Sequence, residues 1–299
     1  MCAHTSYRNL RGADDRIVIC DSCNLIFLAP RLRITELAEY YTNAKVWRDW
    51  SNDPVLSQIS HENARLRLRL IRQFTPSGTL LDIGTHDGAF IEEARQMGFD
   101  AMGIEPNKKA VEEATKRHIP VYEETVETFT TDRYFNVVTM FHVLEHCADP
   151  EASLMNMRKL CAPQGIAVIE VPNIESYLAI HHGASWKYIA REHVWYFSLI
   201  TLSALLDKTG FEIIFSKKIN GEIPYLSFSD MIQYVCPSPY FKRDRFKMKS
   251  SSSSALVPIP HYRGLRKLLS YGIHAIGRAD HLFILARPRA AVRIPKIPD

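Results

Sequence analysis

No stretch of the chain approaches the roughly 18 consecutive apolar residues that a membrane-spanning helix needs. The polar, charged start, Met1–Arg16, has no apolar core of the kind a secretion signal carries, so the expected compartment is the cytoplasm. Cysteines are few, six in 299 residues, and scattered. That pattern fits a reducing environment with buried, reactive or metal-bound thiols rather than a disulfide scaffold. Charge of one sign is not in excess: 37 Lys and Arg face 33 Asp and Glu, for a net charge of +4. This is too little to argue for nucleic acid. There is no internal repeat. With 46% apolar and 23% charged residues the chain is ordinary globular protein, of a length that fits two domains or one α/β domain with additions equally well.

Residues 1–45 read as a small separate unit. Two apolar runs, Arg16–Cys20 and Leu25–Leu28, flank Cys20-Asp21-Ser22-Cys23 and predict a hairpin. A short helix is expected from Thr35 to Tyr41. A longer one follows over Val55–Phe74, with Ile59, Leu66, Leu70 and Phe74 as its apolar face. From Thr79 the pattern alternates. Strands are predicted at Thr79–Ile83, Ala101–Ile104, Phe135–Phe141, Gly165–Val171 and Phe211–Phe215. Helices are predicted at Gly88–Met97, Lys108–His118, Pro150–Leu160 and Leu199–Thr209. Repeated βα units mean a mostly parallel sheet covered by helices. Residues 219–280 interrupt the rhythm with a basic run, Lys242–Lys249, five serines and an apolar helix near Arg263–Ile276. That basic run could meet phosphate or an anionic surface, or be a plain solvated loop. A last strand is expected at His281–Ala286, and residues 288–299 form a tail. The catalytic unit is thus 46–218 plus 281–287.

The sharpest motif is Asp82-Ile83-Gly84-Thr85-His86-Asp87-Gly88. A strand ends at an acidic residue and a glycine turn, and a helix opens. Glycine permits the turn and lets a ligand approach the backbone, and the helix start offers free N–H groups. Glu105, 21 residues past Gly84 at the end of the next strand, can accept hydrogen bonds from both hydroxyls of a ribose. The plain alternative is a βα turn with a solvated glutamate. The glycine spacing does not match the G-x-G-x-x-G of a nicotinamide fold.

This loop resembles the D-x-G-x-G-x-G of class I S-adenosylmethionine-dependent methyltransferases, with His86 in place of the middle glycine. Other segments agree in order. Phe135-Asn136-Val137-Val138 resembles F-D-V-V, Val143-Leu144-Glu145-His146 resembles V-L-E-H, and Leu160–Gly165 resembles L-x-P-G-G with Gln164 for a glycine. The resemblance covers about two thirds of the chain. It implies a Rossmann-like doubly wound sheet with an N-terminal hairpin and an insertion before the last strand. It also implies S-adenosylmethionine as cofactor. Asp82, Gly84, Thr85, His86 and Gly88 would then form the loop around the methionine moiety. Glu105 would hold the ribose, Pro106 the adenine and Glu124 the adenine amine, while Phe141 and His142 would close over the sulfur.

Glu192-His193 lies in a stretch similar to the E-H-x-x-Y-F-S of methyltransferases acting on sugars and other small metabolites. That likeness makes His193 the candidate base, its basicity raised by Glu192; the alternative is a loop tie. His142, Glu145 and His146, at i, i+3 and i+4, could share a helical face and hold a divalent metal. Related E-x-x-E-H residues occur in ubiquinone-type O-methyltransferases, and helix packing is the other reading. Cys20 and Cys23 resemble the second half of a zinc-ribbon module, with Cys2 where a further ligand could stand. A structural zinc and a metal-free hairpin remain alternatives. The expected partner is a small hydroxylated molecule such as a sugar or sugar nucleotide, without nucleic acid and without a membrane span. A non-catalytic binding module and a nucleic-acid methyltransferase are the competing readings. The sequence does not indicate an oligomeric state.

Overall fold

The computed structural model describes residues 6–10, 16–31, 36–37, 40–41, 53–219 and 279–289. The basic run, the serines, the expected helix near 263–276, Cys2 and the tail beyond Arg289 lie outside the described residues.

The chain begins with β1 (Tyr7–Asn9), β2 (Ile17–Cys20) and β3 (Ile26–Leu28). Helix α1 (Pro54–Ile71) leads into β4 (Gly78–Ile83), α2 (Ala89–Gln96), β5 (Phe99–Ile104), α3 (Lys108–Lys116) and β6 (Val121–Tyr122). The second half runs β7 (Phe135–Phe141), α4 (Pro150–Leu160), β8 (Cys161–Pro172), α5 (Tyr177–His182), β9 (Trp195–Tyr196) and α6 (Leu199–Lys208). It closes with β10 (Phe211–Ile219) and β11 (His281–Pro288).

Seven strands form one sheet in the order β10-β11-β8-β7-β4-β5-β6. The ladders from β8 to β6 are parallel, and β11 runs antiparallel between β8 and β10. The chain winds outward from β4 to β6, then crosses back to β7. Between the carboxyl ends of β4 and β7 the two windings part, and in such sheets that crevice takes the ligand. Central strands covered on both faces read as continuous apolar runs. Leu80, Leu81, Val137, Val138 and Ile166–Ile169 are accordingly buried.

From Thr79 to Phe215 the expected strands and helices are present, as are the hairpin, the helix before Thr79 and the last strand, with bounds shifted by a few residues; most of the expected helix Thr35–Tyr41 lies outside the described residues. Strands β1, β6 and β9 and helix α5 were not read; the three strands have two or three residues each, too short for a period to show. On α1 the inward stripe differs from the expected face. Ile59, Ala64, Leu68 and Ile71 are buried, whereas Leu66 is 56% exposed. Arg67, on the same helix, points inward to Glu170, with Nε–Oε2 at 2.7 Å and Nη2–Oε1 at 3.1 Å.

The N-terminal hairpin shares a sheet with the later chain. Its four-stranded sheet, β1-β2-β3-β9, is completed by β9, with Ile26 opposite Tyr196 and Phe27 opposite Trp195. Trp195 is fully buried, tilts against Phe27 at 5.9 Å and donates its indole N–H to the Cys147 carbonyl at 2.7 Å. Arg31 lies 4.5 Å over its ring. Among the described residues, no helix is long and apolar enough to cross a membrane.

Removing so large a buried ring costs about 3–5 kcal/mol, and the orphaned carbonyl adds to it. Trp195→Ala should therefore lower the urea midpoint of unfolding strongly. A loss under about 1 kcal/mol would mean that β9 does not anchor the hairpin.

Candidate active site

The loop after β4 is shaped by left-handed backbone. Gly84 has φ 72° and Gly88 φ 83°, and His86 takes φ 55° where the resembling loop has glycine. A non-glycine residue there carries a small local cost, tolerated where the surroundings hold it. A side chain on Gly84 would have its Cβ 2.3 Å from Val143 Cγ2, so the loops after β4 and β7 meet closely only because this residue is glycine.

Glu105 stands at the end of β5, 9% exposed. Its carboxylate accepts the backbone N–H of His86 at 2.9 Å and of Asn107 at 3.0 Å. Burial raises its pKa, and those two N–H groups work against the rise. Asn107 caps α3 and donates its side-chain amide to the Tyr41 carbonyl at 2.7 Å. Asp82 is buried, accepts the Thr139 hydroxyl, and is pushed up to about 6 chiefly by burial. The Thr85 hydroxyl is buried beside the Asp82 carboxylate and, with Thr139, works against that rise. Glu124 is farther out, accepting the Thr128 hydroxyl at 2.6 Å.

Across the crevice, His142 also has a left-handed backbone, φ 55°. It is not on a helical face with Glu145 and His146. Only Leu144–His146 form a single 3-10 turn, and His142 precedes it with a left-handed backbone, its ring between Glu145 and Glu170. His142 Nε2 lies 3.2 Å from Glu170 Oε1, and Nδ1 3.3 Å from Glu145 Oε1. Burial opposes its charge, but the two carboxylates outweigh burial and raise it to about 9. Glu170 is held well below the usual carboxylate range against its burial, by Arg67, His142 and His281. Phe141 packs against Phe90 at 4.9 Å and Phe283 at 6.3 Å, with Arg67 4.6 Å over its ring.

His193 is reached through a tied loop. Val194 N–H donates to the Glu145 carbonyl at 2.9 Å, and Leu28 N–H to the Val194 carbonyl at 3.1 Å. The ring lies 4.5 Å from His146 and stacks on Tyr188 at 5.8 Å. Its basicity is not raised by Glu192. Burial and the neighbouring His146 push it down to about 3. The Glu192 carbonyl instead lies 3.0 Å from His146 Nδ1, which Tyr41 also meets at 2.6 Å.

Two sets of side chains could be asked to hold a cation. Glu145, His146 and His193 bring their ligand atoms within 4.8 Å of one another, and Glu145 is already paired with His142. His142, Glu170 and His281 are as close, but the Arg67 fork already neutralises Glu170, so that set is an ion-pair network. Cys20, the last residue of β2, is buried, and Cys23, on the hairpin turn, is half-buried.

Residues 55–215 match the family described as Methyltransferase domain. The chain belongs to this methyltransferase family. Curated relatives include ubiquinone biosynthesis O-methyltransferases. That of Rickettsia prowazekii is 26% identical over 142 residues, 43% of this chain and 56% of the relative. That of Nitrosomonas europaea is 29% identical over 169 residues, 52% of this chain and 70% of the relative. The match thus spans little more than half of the Rickettsia protein. Two solved structures share the fold. A SAM-dependent methyltransferase from Archaeoglobus fulgidus has TM-score 0.50 at 21% identity, covering 76% of this chain and 94% of its own. Haemonchus contortus phosphoethanolamine N-methyltransferase 2, in complex with S-adenosyl-L-methionine, has TM-score 0.54 at 14% identity, covering 89% and 62%.

Several site residues escaped the sequence reading: Arg67, Glu170, His281, Tyr188 and Tyr41. Their partners are far away in sequence. A glutamate inside the apolar run Val168-Ile169-Glu170-Val171 is the one signal that could have flagged the network, because a charge there needs a partner.

His142 makes stability pH-dependent. With a folded-state value near 9 and an ordinary one of 6.5, its contribution is complete below 6.5 and lost as pH rises towards 9. The loss is on the order of 3 kcal/mol, and it is the same pairing that lowers Glu145 and Glu170, not an addition to it. Denaturation of wild type between those limits should show the fall, and His142→Gln should flatten it; parallel curves would refute the assignment.

Proposed function

We propose that this domain binds S-adenosylmethionine in the cradle after β4 and β5 and transfers its methyl group to a small hydroxylated acceptor. The observation that carries the reading is Glu105, whose buried carboxylate is aimed by two backbone N–H groups beside a glycine-shaped loop. An ionised carboxylate accepts several hydrogen bonds, so it can take both hydroxyls of a ribose as well. In this reading Gly84, Thr85, His86 and Gly88 surround the methionine part, and Pro106 and Glu124 lie towards the adenine. Asp82 supports the turn, while Phe141 and His142 lie on the methyl side.

The cofactor, when bound, supplies an activated methyl group on a sulfonium. The protein supplies proximity and alignment, and it keeps water away. His193 contributes a neutral imidazole to the acceptor side, and Glu192 anchors the loop through its carbonyl. The likeness to ubiquinone biosynthesis O-methyltransferases favours oxygen as the methylated atom and a small molecule as the acceptor.

Calorimetry with S-adenosylmethionine tests the first half. Glu105→Ala should weaken binding about 10- to 100-fold, the cost of two hydrogen bonds to a charged group. An unchanged affinity would remove the ribose assignment. For the second half, S-adenosylhomocysteine release is measured with glucose, UDP-glucose and 3,4-dihydroxybenzoate. His193→Ala should lower turnover at least about tenfold with cofactor affinity intact. Equal turnover in mutant and wild type would leave His193 a loop tie.

A further inference from the structure

One chain of hydrogen bonds runs from the core to the acceptor side and has no part in holding the cofactor. Glu170 on β8 is buried and ionised, forked by Arg67. Its Oε1 lies 2.8 Å from His281 Nδ1. An ionised carboxylate only accepts, so Nδ1 carries the imidazole hydrogen and Nε2 is the bare nitrogen. That nitrogen lies 2.6 Å from the Tyr188 hydroxyl, which therefore donates to it. A phenol has one hydrogen. With it committed to His281, the Tyr188 oxygen meets any further group as an acceptor.

The placement is equally specific. The Tyr188 ring stacks on His142 at 6.1 Å and 10°, and on His193 at 5.8 Å and 21°. Trp186 meets it edge-on at 5.1 Å. The phenol is thus carried to the carboxyl ends of β7 and β8, on the methyl side of the crevice. Burial and the nearby His142 charge push His281 down to about 4, which keeps it in the neutral form this arrangement needs.

We propose that Tyr188 receives the hydrogen of the acceptor group during methyl transfer, with His281 and Glu170 as positioning residues behind it. The proposal rests on the methyl-transfer reading above and adds the group that takes the proton. An acceptor oxygen forms its bond to the methyl carbon while the carbon–sulfur bond breaks, and that electron pair stays on sulfur. The acceptor proton passes to Tyr188 and the phenolic proton to His281 Nε2, leaving an imidazolium on the Glu170 carboxylate. A weak base suffices, because the attacking oxygen becomes strongly acidic as it gains a third bond. A site built this way selects acceptors that present an O–H or N–H and rejects those without one.

The hydrogen-bond chain is tested without any acceptor. The full chain is treated with phenylmethanesulfonyl fluoride, and labelled tyrosines are read by peptide mass spectrometry. Tyr188 should label about tenfold faster than the exposed Tyr134, and His281→Gln should abolish the excess. Labelling no faster than Tyr134, or indifferent to His281, overturns the proposal. Should H281Q fail to fold, proton NMR decides. A slowly exchanging low-field signal in wild type should vanish in Tyr188→Phe, and its absence from wild type also overturns the proposal. With the best acceptor of the panel above, Tyr188→Phe should cut kcat about a hundredfold while S-adenosylmethionine affinity stays within about twofold. An unchanged kcat overturns the proposal. Failure of wild type to bind S-adenosylmethionine would instead sink the methyl-transfer reading and leave the labelling result standing.

Discussion

A carboxylate buried on an inner strand is the constraint around which the site is organised. Glu170 sits in β8 with its side chain 2% exposed, where an unpaired charge would cost several kcal/mol. Its partners come from three directions. Arg67 reaches in from α1, His142 from the loop after β7, and His281 from β11. Arg67 points inward from α1, and His142 adopts a left-handed backbone at the crevice. His281 and, through it, Tyr188 are tied to the same carboxylate. Arg67 and His142 together balance Glu145 and Glu170, so the network carries two charges of each sign.

The second organising contact is the weld between the N-terminal hairpin and the loop that carries His193. Strand β9 has only two residues, yet it is paired to β3, tied to the Glu145 carbonyl through Val194, and anchored by the Trp195 ring. The acceptor side of the crevice is thereby walled by a loop whose partners lie from about fifty to more than a hundred and fifty residues away. Tyr41 makes a similar bridge, joining Asn107 near the ribose-facing Glu105 to His146 on the other side.

Much of the fold was legible. The βα alternation from Thr79 and the apolar inner strands are enough to give the sheet and most of its helices. The cofactor cradle was legible for the same reason: Gly84, Gly88 and Glu105 are local features, a turn and a strand end, written within 25 residues. His86 illustrates the limit. The sequence shows a departure from glycine, and only the backbone shows that the residue still takes the glycine conformation.

The acceptor side was not legible. His142, Glu145 and His146 have helical spacing, but spacing cannot reveal that His142 takes a left-handed backbone with its ring between Glu145 and Glu170. Glu192 precedes His193, but adjacency in sequence does not make a side-chain pair, and burial set the basicity of His193 instead. The sequence by itself determined the elements, their order and the cofactor loop, because those depend on short-range periodicity and backbone freedom. Only the tertiary structure decided which charges meet, because burial makes partners of residues wherever the fold brings them together.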